Sequence, residues 1–308
     1  MIELPTVFIL GAGASVPFGF PSGRKLLEDI CQDIDNVDSK FKFLLRGAGF
    51  QELLITRFRE ELYLSKMPSV DLFLEKRPEY VEIGKAAISC ALIPYEKPDA
   101  LSRRANAQSW YEYLFSKLET NPAKFHENRL SVITFNYDRS LEYFLFSALK
   151  YSYGLNDTDA AQTVFSIPIY HVYGQLGEFP FRGLKNERHY DSQVEPENVR
   201  LCAACIKVIS EDKGDSSEFS KYHELILKAK RVCFLGFGFH KVNVERLMSK
   251  VRQELTNNSQ WKTFYGSAYD IREGERHPIE YRFDNRIKLG KENEDVLDYL
   301  RNNKIFFS

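Results

Sequence analysis

Four segments of this chain place glycine, asparagine, aspartate or histidine directly after or within an apolar run, where a strand would deliver them to one edge of a sheet. Ligands of open α/β sheets bind at that edge, beyond the carboxyl ends of the strands. The first segment is Gly11-Ala12-Gly13-Ala14-Ser15, after apolar residues 6–10. Missing side chains there let backbone N–H groups approach a diphosphate at a helix N-terminus; a glycine turn without a ligand is the other reading. A full dinucleotide fingerprint would put glycine at position 16 and an acid at the end of a second strand about twenty residues on. Position 16 is Val16, and Glu28, Asp29 and Asp33 fall in a helical pattern, so an ordinary dehydrogenase is disfavoured.

The second segment is Thr134-Phe135-Asn136-Tyr137-Asp138. A neutral amide at a strand's end can hold a water or a ribose hydroxyl without adding charge, and Asp138 can cap the following helix. Asn136 as a plain turn residue and Asp138 as a plain cap is the bland alternative. The third segment, Ile167-Pro168-Ile169-Tyr170-His171-Val172-Tyr173-Gly174, carries one histidine near the end of a strand-like run. Imidazole suits removal of a hydroxyl proton near neutral pH, although a lone histidine in an apolar strand is more often a satisfied core residue. The fourth, Gly236-Phe237-Gly238-Phe239-His240 with Asn243 opening a helix, repeats the strand, glycine loop, helix order of the first. Two glycine loops on one sheet suit a ligand with two halves, such as a dinucleotide. Asn243 as a helix cap and His240 as a solvated loop residue are the alternatives.

The elements that must position these groups are legible in outline. Continuous apolar and aromatic runs at 6–10, 130–135, 164–172, 231–235 and 262–269 predict strands buried on both faces of a parallel sheet. Helical spacing follows three of them, through Leu26, Leu27, Ile30 and Ile34, through Leu141, Phe144, Leu145 and Ala148, and through Val244, Leu247, Met248, Val251 and Leu255. Residues 40–128 show only helical periodicity, broken by Pro68, Pro78, Pro94, Pro98 and Pro122, which predicts a helical cap over the substrate. The expected fold is α/β, a doubly wound, mostly parallel Rossmann-like sheet with an inserted helical cap subdomain. One domain spans 1–308, with the insertion at 40–128 and loose linkers expected at 156–162 and 211–217.

Composition narrows the function classes. Asp and Glu number 43 against 42 Lys and Arg, with no like-charge block, so a nucleic-acid partner has no electrostatic support. The apolar stretch at 86–93 is too short to span a bilayer and the N-terminus lacks a secretion signal, which leads to the expectation of a cytoplasmic protein without membrane contact. The odd set Cys31, Cys90, Cys202, Cys205 and Cys233 reads as free thiols.

The order and spacing of the four segments resemble the sirtuin-like family, in which a Gly-Ala-Gly-x-Ser loop, a Thr-x-Asn-x-Asp segment, a histidine and a glycine loop follow one another. Tyrosine between Asn136 and Asp138 looks like the bacterial NAD-consuming branch of that family. The resemblance covers about residues 6–34 and 130–255. It implies that Asn136 positions an attacking water, that His171 acts as base on the nicotinamide ribose, and that Thr134 and Asp138 belong to the ligand site, Asp138 on the carboxamide. Gly11, Ala12, Gly13 and Ser15 would hold the diphosphate, Gly236, Gly238 and Asn243 would lie near the adenosine half, and Arg24 would match the family's arginine after a Gly-x-Pro turn.

Two departures stand out. Family deacylases place glycine directly after the histidine, whereas Val172 and Tyr173 intervene here before Gly174. Their zinc module needs two Cys-x-x-Cys pairs, and this chain has one, Cys202-Ala-Ala-Cys205, at helical spacing with Leu201, Val208 and Ile209. No metal is therefore expected. The resemblance implies an NAD+ glycohydrolase that takes NAD as its substrate and releases nicotinamide and ADP-ribose, serving antiviral defence by NAD+ depletion. Control would come from homo-oligomerisation or a separately encoded partner such as an ATPase. A sensor that binds NAD or ADP-ribose without turnover is the rival reading, and an NAD-dependent protein deacylase ranks below both.

Overall fold

Thr6–Leu10 is buried at every position and forms the central strand, β1, of the computed structural model, which describes residues 1–102, 108–208, 217–257, 262–303 and 305–306. The further strands are β2 (Leu130–Thr134), β3 (Ile169–His171), β4 (Arg231–Leu235), β5 (Phe264–Gly266) and β6 (Ile287–Leu289). All pair in parallel, in the order β3-β2-β1-β4-β5-β6. This is the doubly wound order, and its direction reverses between β1 and β4. The loops leaving those two neighbouring strands are the two glycine loops, so the crevice expected for a ligand lies between them.

Between β1 and β2 run α1 (Gly23–Asp35), α2 (Phe41–Gly47), α3 (Glu52–Leu64), α4 (Val70–Lys76), α5 (Val81–Leu92), α6 (Pro98–Ser102) and α7 (Trp110–Leu118). The described residues of 40–128 hold helices and no strand, as their periodicity predicts. Helix α5 is the core of this region. It contains most of the apolar stretch at 86–93, is buried at every position except Glu82, and packs against α1 and α2. A Cβ added at its Gly84 would lie 2.5 Å from Leu74 Cδ1, so a larger residue there would have to displace that side chain.

The remaining helices are α8 (Ser140–Tyr153) and α9 (Asp157–Phe165) between β2 and β3, then α10 (Pro196–Cys205) and α11 (Ser217–Lys228) before β4. Helix α12 (Lys241–Asn257) follows β4, α13 (Glu273–Arg282) follows β5, and α14 (Val296–Asn302) follows β6.

The structure corrects several boundaries. The strand expected at 164–172 begins only at Ile169, because Val164 belongs to α9 and Pro168, which cannot donate to a ladder, precedes the pairing. The linker expected at 156–162 is instead the start of α9. Asn156 caps it by accepting the Asp159 N–H at 2.9 Å, and Ala160, Ala161 and Val164 form its buried stripe. The linker at 211–217 lies outside the described residues except for Ser217, the first residue of α11. Strand β6 had no prediction, since three residues are too few to show a period. Cys202 and Cys205 do share a helix, α10, with Cys202 in the core.

A buried ionic cluster joins the insertion to the sheet domain. Glu96, just after α5, accepts from Arg139 Nε at 3.0 Å and Arg139 Nη2 at 2.6 Å, and also from Arg188 Nη2. Arg139 Nη1 donates to the carbonyls of Glu178 (3.1 Å) and Arg188 (2.7 Å), so one guanidinium ties three segments together. All three charged side chains are essentially withdrawn from solvent.

Candidate functional site

The carboxyl ends of β1, β2 and β4 converge so closely that their loops share backbone space. A Cβ on Gly11 would stand 2.6 Å from the Gly236 carbonyl oxygen, and one on Gly13 2.9 Å from Gly236 Cα. Gly236 itself has φ +57°, and its Cβ would lie 2.0 Å from the Ala14 nitrogen. These three glycines are required by loop-to-loop contact. The Gly13 N–H is spent on the Gly236 carbonyl at 2.9 Å, and Gly236 N–H donates to Ser267 Oγ at 2.8 Å. Ala12 is half-buried, whereas Gly13 and Gly238 are exposed.

Asn136 sits at this junction. Its Nδ2 donates to the Gly11 carbonyl and to Ser15 Oγ, both at 3.0 Å, while its N–H donates to Thr134 Oγ1 at 3.1 Å. Both amide hydrogens are thus consumed in orienting the side chain, and Oδ1 is left as its accepting atom. Ser15 Oγ in turn donates to Asp138 Oδ2 at 2.8 Å. The other oxygen of Asp138 accepts the Ser140 N–H at 3.1 Å and the Ser140 hydroxyl, which fixes the start of α8. Tyr111 from α7 completes the chain on Ser140 Oγ at 2.7 Å, and Trp110 Nε1 holds the Ala14 carbonyl at 2.8 Å. Burial raises the Asp138 carboxyl above its ordinary 3.8, against the lowering effect of its serine donors.

His171, the expected base, has both ring nitrogens in hydrogen bonds. Its Nδ1 donates to the Asn136 carbonyl at 2.9 Å and its Nε2 to Glu142 Oε1 at 2.7 Å, with both side chains buried. With Glu142 ionised, both ring nitrogens donate and His171 is the imidazolium, which has no lone pair to receive a hydroxyl proton. Burial opposes that charge, but Glu142 opposite outweighs it, so the His171 pKa lies above 6.5. Burial likewise pushes Glu142 up and His171 more than reverses it, leaving the carboxyl below 4.5. His171 therefore braces the backbone of Asn136.

A pH dependence of stability follows from these two shifts. A raised histidine stabilises fully below about 6.5 and loses that contribution as pH rises through its folded-state value; a lowered glutamate stabilises above about 4.5 and loses it on acidification. The pair should contribute most between those limits. Glu142→Gln is expected to destabilise the protein most near pH 5 to 6 and progressively less on the alkaline side, read from urea unfolding across pH. A penalty independent of pH would remove the ion pair from the account.

The adenosine-side candidates are joined by a residue that motif reading left unassigned. Tyr173 donates its hydroxyl to Asn243 Oδ1 at 2.7 Å, and burial raises its phenol well above 10. From the insertion, α4 reaches over the same edge. Asp71 accepts from the Tyr137 hydroxyl and Glu75 pairs with Arg246 at 3.3 Å, linking the β2 end to the first turns of α12. Arg24 is not gathered in; its side chain is 83% exposed and pairs with Glu28 at 3.0 Å. Glu142 had a sequence signal, an acid on the same helical stripe as Leu145, Phe146 and Leu149. Asp71, Glu75 and Tyr111 had none, because long-range packing alone brings them here.

Among the described residues no group of three His, Cys, Asp or Glu side chains is arranged to hold a metal, and no helix is long and apolar enough to cross a membrane. No curated protein matches the chain at a significant level. The SIR2-like domain family matches residues 130–283, from the start of β2 through α13, which takes in Asn136, Asp138, His171 and the second glycine loop. That match covers half of the chain and ends on both sides at element boundaries of the sheet just described. The chain belongs to the SIR2-like family, whose members are typically NAD-consuming enzymes.

Proposed function

We propose that this protein hydrolyses the bond between nicotinamide and ribose in NAD+, releasing nicotinamide and ADP-ribose. The observation that carries the reading is the Asn136 amide, pinned by both Nδ2 hydrogens at the meeting of two glycine loops, with Oδ1 left to hold a water. In an oxocarbenium-like transition state the bond to nicotinamide lengthens before water closes on the sugar carbon, so a fixed, uncharged acceptor beside that carbon supplies positioning. The two glycine loops, with Gly13 and Gly238 exposed, are where the diphosphate and adenosine half would lie. Antiviral defence by NAD+ depletion, in the manner of the bacterial NADase branch, is the biological role we attach to this activity, with control by self-association or by a separately encoded partner such as an ATPase.

The test is nicotinamide release from NAD+ by the purified protein at several protein concentrations. Turnover that rises more than proportionally with concentration supports control by self-association. One observation favours the rival reading of a non-catalytic NAD or ADP-ribose sensor: His171 is committed to Glu142 and supplies no base. Saturable NAD+ binding with no nicotinamide release, alone or with a partner added, would establish the sensor.

A further inference from the structure

With His171 committed, the site's hydrogen-bond chain leads to one other group able to take a proton. Asn136 Nδ2 donates to Ser15 Oγ, and Ser15 Oγ donates to Asp138 Oδ2 at 2.8 Å. The direction of the chain is fixed from its far end. Ser140 gives its hydroxyl proton to Asp138 Oδ1, so Tyr111 donates to Ser140. Ser15 Oγ therefore accepts from Asn136 and donates to Asp138, with the Tyr111 hydroxyl as a further neighbour.

We propose that Ser15 and Asp138 form the proton relay of this site, with Ser15 receiving a proton from the water held by Asn136 while passing its own to Asp138. This rests on the hydrolase reading above. The water oxygen bonds to the ribose carbon, the carbon–nitrogen bond to nicotinamide breaks, and its electron pair neutralises the pyridinium ring. One water proton moves to Ser15 Oγ, the Ser15 proton moves to Asp138 Oδ2, and Asp138 later returns it to solvent.

The surroundings suit a transient acceptor. Arg139, Arg188 and the His171 imidazolium are neighboured by Glu96, Glu142 and Asp138, so the buried cluster is neutral only when Asp138 is ionised. Protonating it leaves a buried net positive charge, which favours release of the proton and resets the site. The groups facing Asp138 are Ser15 from the first glycine loop, Ser140 and Glu142 from α8, Tyr111 from α7, His171 from β3 and Tyr190 from the loop before α10. Burial raises the Asp138 carboxyl above its ordinary 3.8, whereas Glu142 and His171 shift each other in opposite directions, the carboxyl down and the imidazole up.

The experiment is the pH profile of kcat for nicotinamide release by the full chain, beside Ser15→Ala and Asp138→Asn. General-base assistance is worth about a hundredfold or more. The parent rate should fall as pH drops through the Asp138 value. Both variants should lose about a hundredfold in kcat, and their residual rates should be flat across that limb. Ser15→Ala leaves the Ser140 bonds of Asp138 intact, so it remains informative if Asp138→Asn fails to fold. A Ser15→Ala protein that keeps the parent's kcat and acid limb overturns the relay and leaves the hydrolase standing. A parent that releases no nicotinamide overturns both.

Discussion

Asn136→Ala is expected to lower nicotinamide release by about a hundredfold to a thousandfold, the range seen when one preorganised polar group aimed at the reacting centre is removed. The loss should fall on kcat. Asn136 is held by Gly11, Ser15 and Thr134 from the protein side, and the expected ligand contacts on Gly13, Gly238 and Asn243 are made by other elements. NAD+ affinity measured by calorimetry should therefore change little. Because the amide also ties the β1 loop to the β2 end, the variant's unfolding midpoint has to be measured beside its rate. A folded Asn136→Ala protein with the parent's turnover would remove the amide from the mechanism.

The second large effect is structural. Glu96→Gln should destabilise the protein by about 3–5 kcal/mol, because it leaves two buried guanidinium groups without their shared anion. Arg139 follows Asp138 directly, and Glu96 lies on the segment after α5, so the cluster is the fastening between the helical insertion and the site edge of the sheet. Urea unfolding reads the loss as a shift in midpoint with little change in slope. A loss under about 1 kcal/mol would mean that water or a rearranged side chain replaces the carboxylate, since an exposed ion pair is worth no more than that.

The sequence by itself determined the class of the sheet, its strand-end motifs and their order. Residues 6–10 and 231–235 are buried strands because nearly every side chain in them is apolar, and a glycine directly after each can be read without coordinates. The helical character of 40–128 was equally local, set by spacing and proline breaks. Thr134, Asn136 and Asp138 stood out because a polar triplet ends an apolar run.

Tertiary structure decided which partner each of those groups meets. His171 reads in sequence as a candidate base, and only the approach of α8 shows a buried carboxylate on one ring nitrogen and the Asn136 carbonyl on the other. Gly11, Gly13 and Gly236 read as a diphosphate cradle, yet much of their requirement comes from one another, across more than two hundred residues of chain. The Ser15–Asp138 bond and the reach of Asp71 and Glu75 over the site edge are likewise invisible to any local pattern. A hydrogen bond or an ion pair depends on distances of about 3 Å between atoms, whereas periodicity reports only which face of an element is apolar. The fold was therefore legible from the residues, and the partner that each candidate site group meets followed from how the fold is closed.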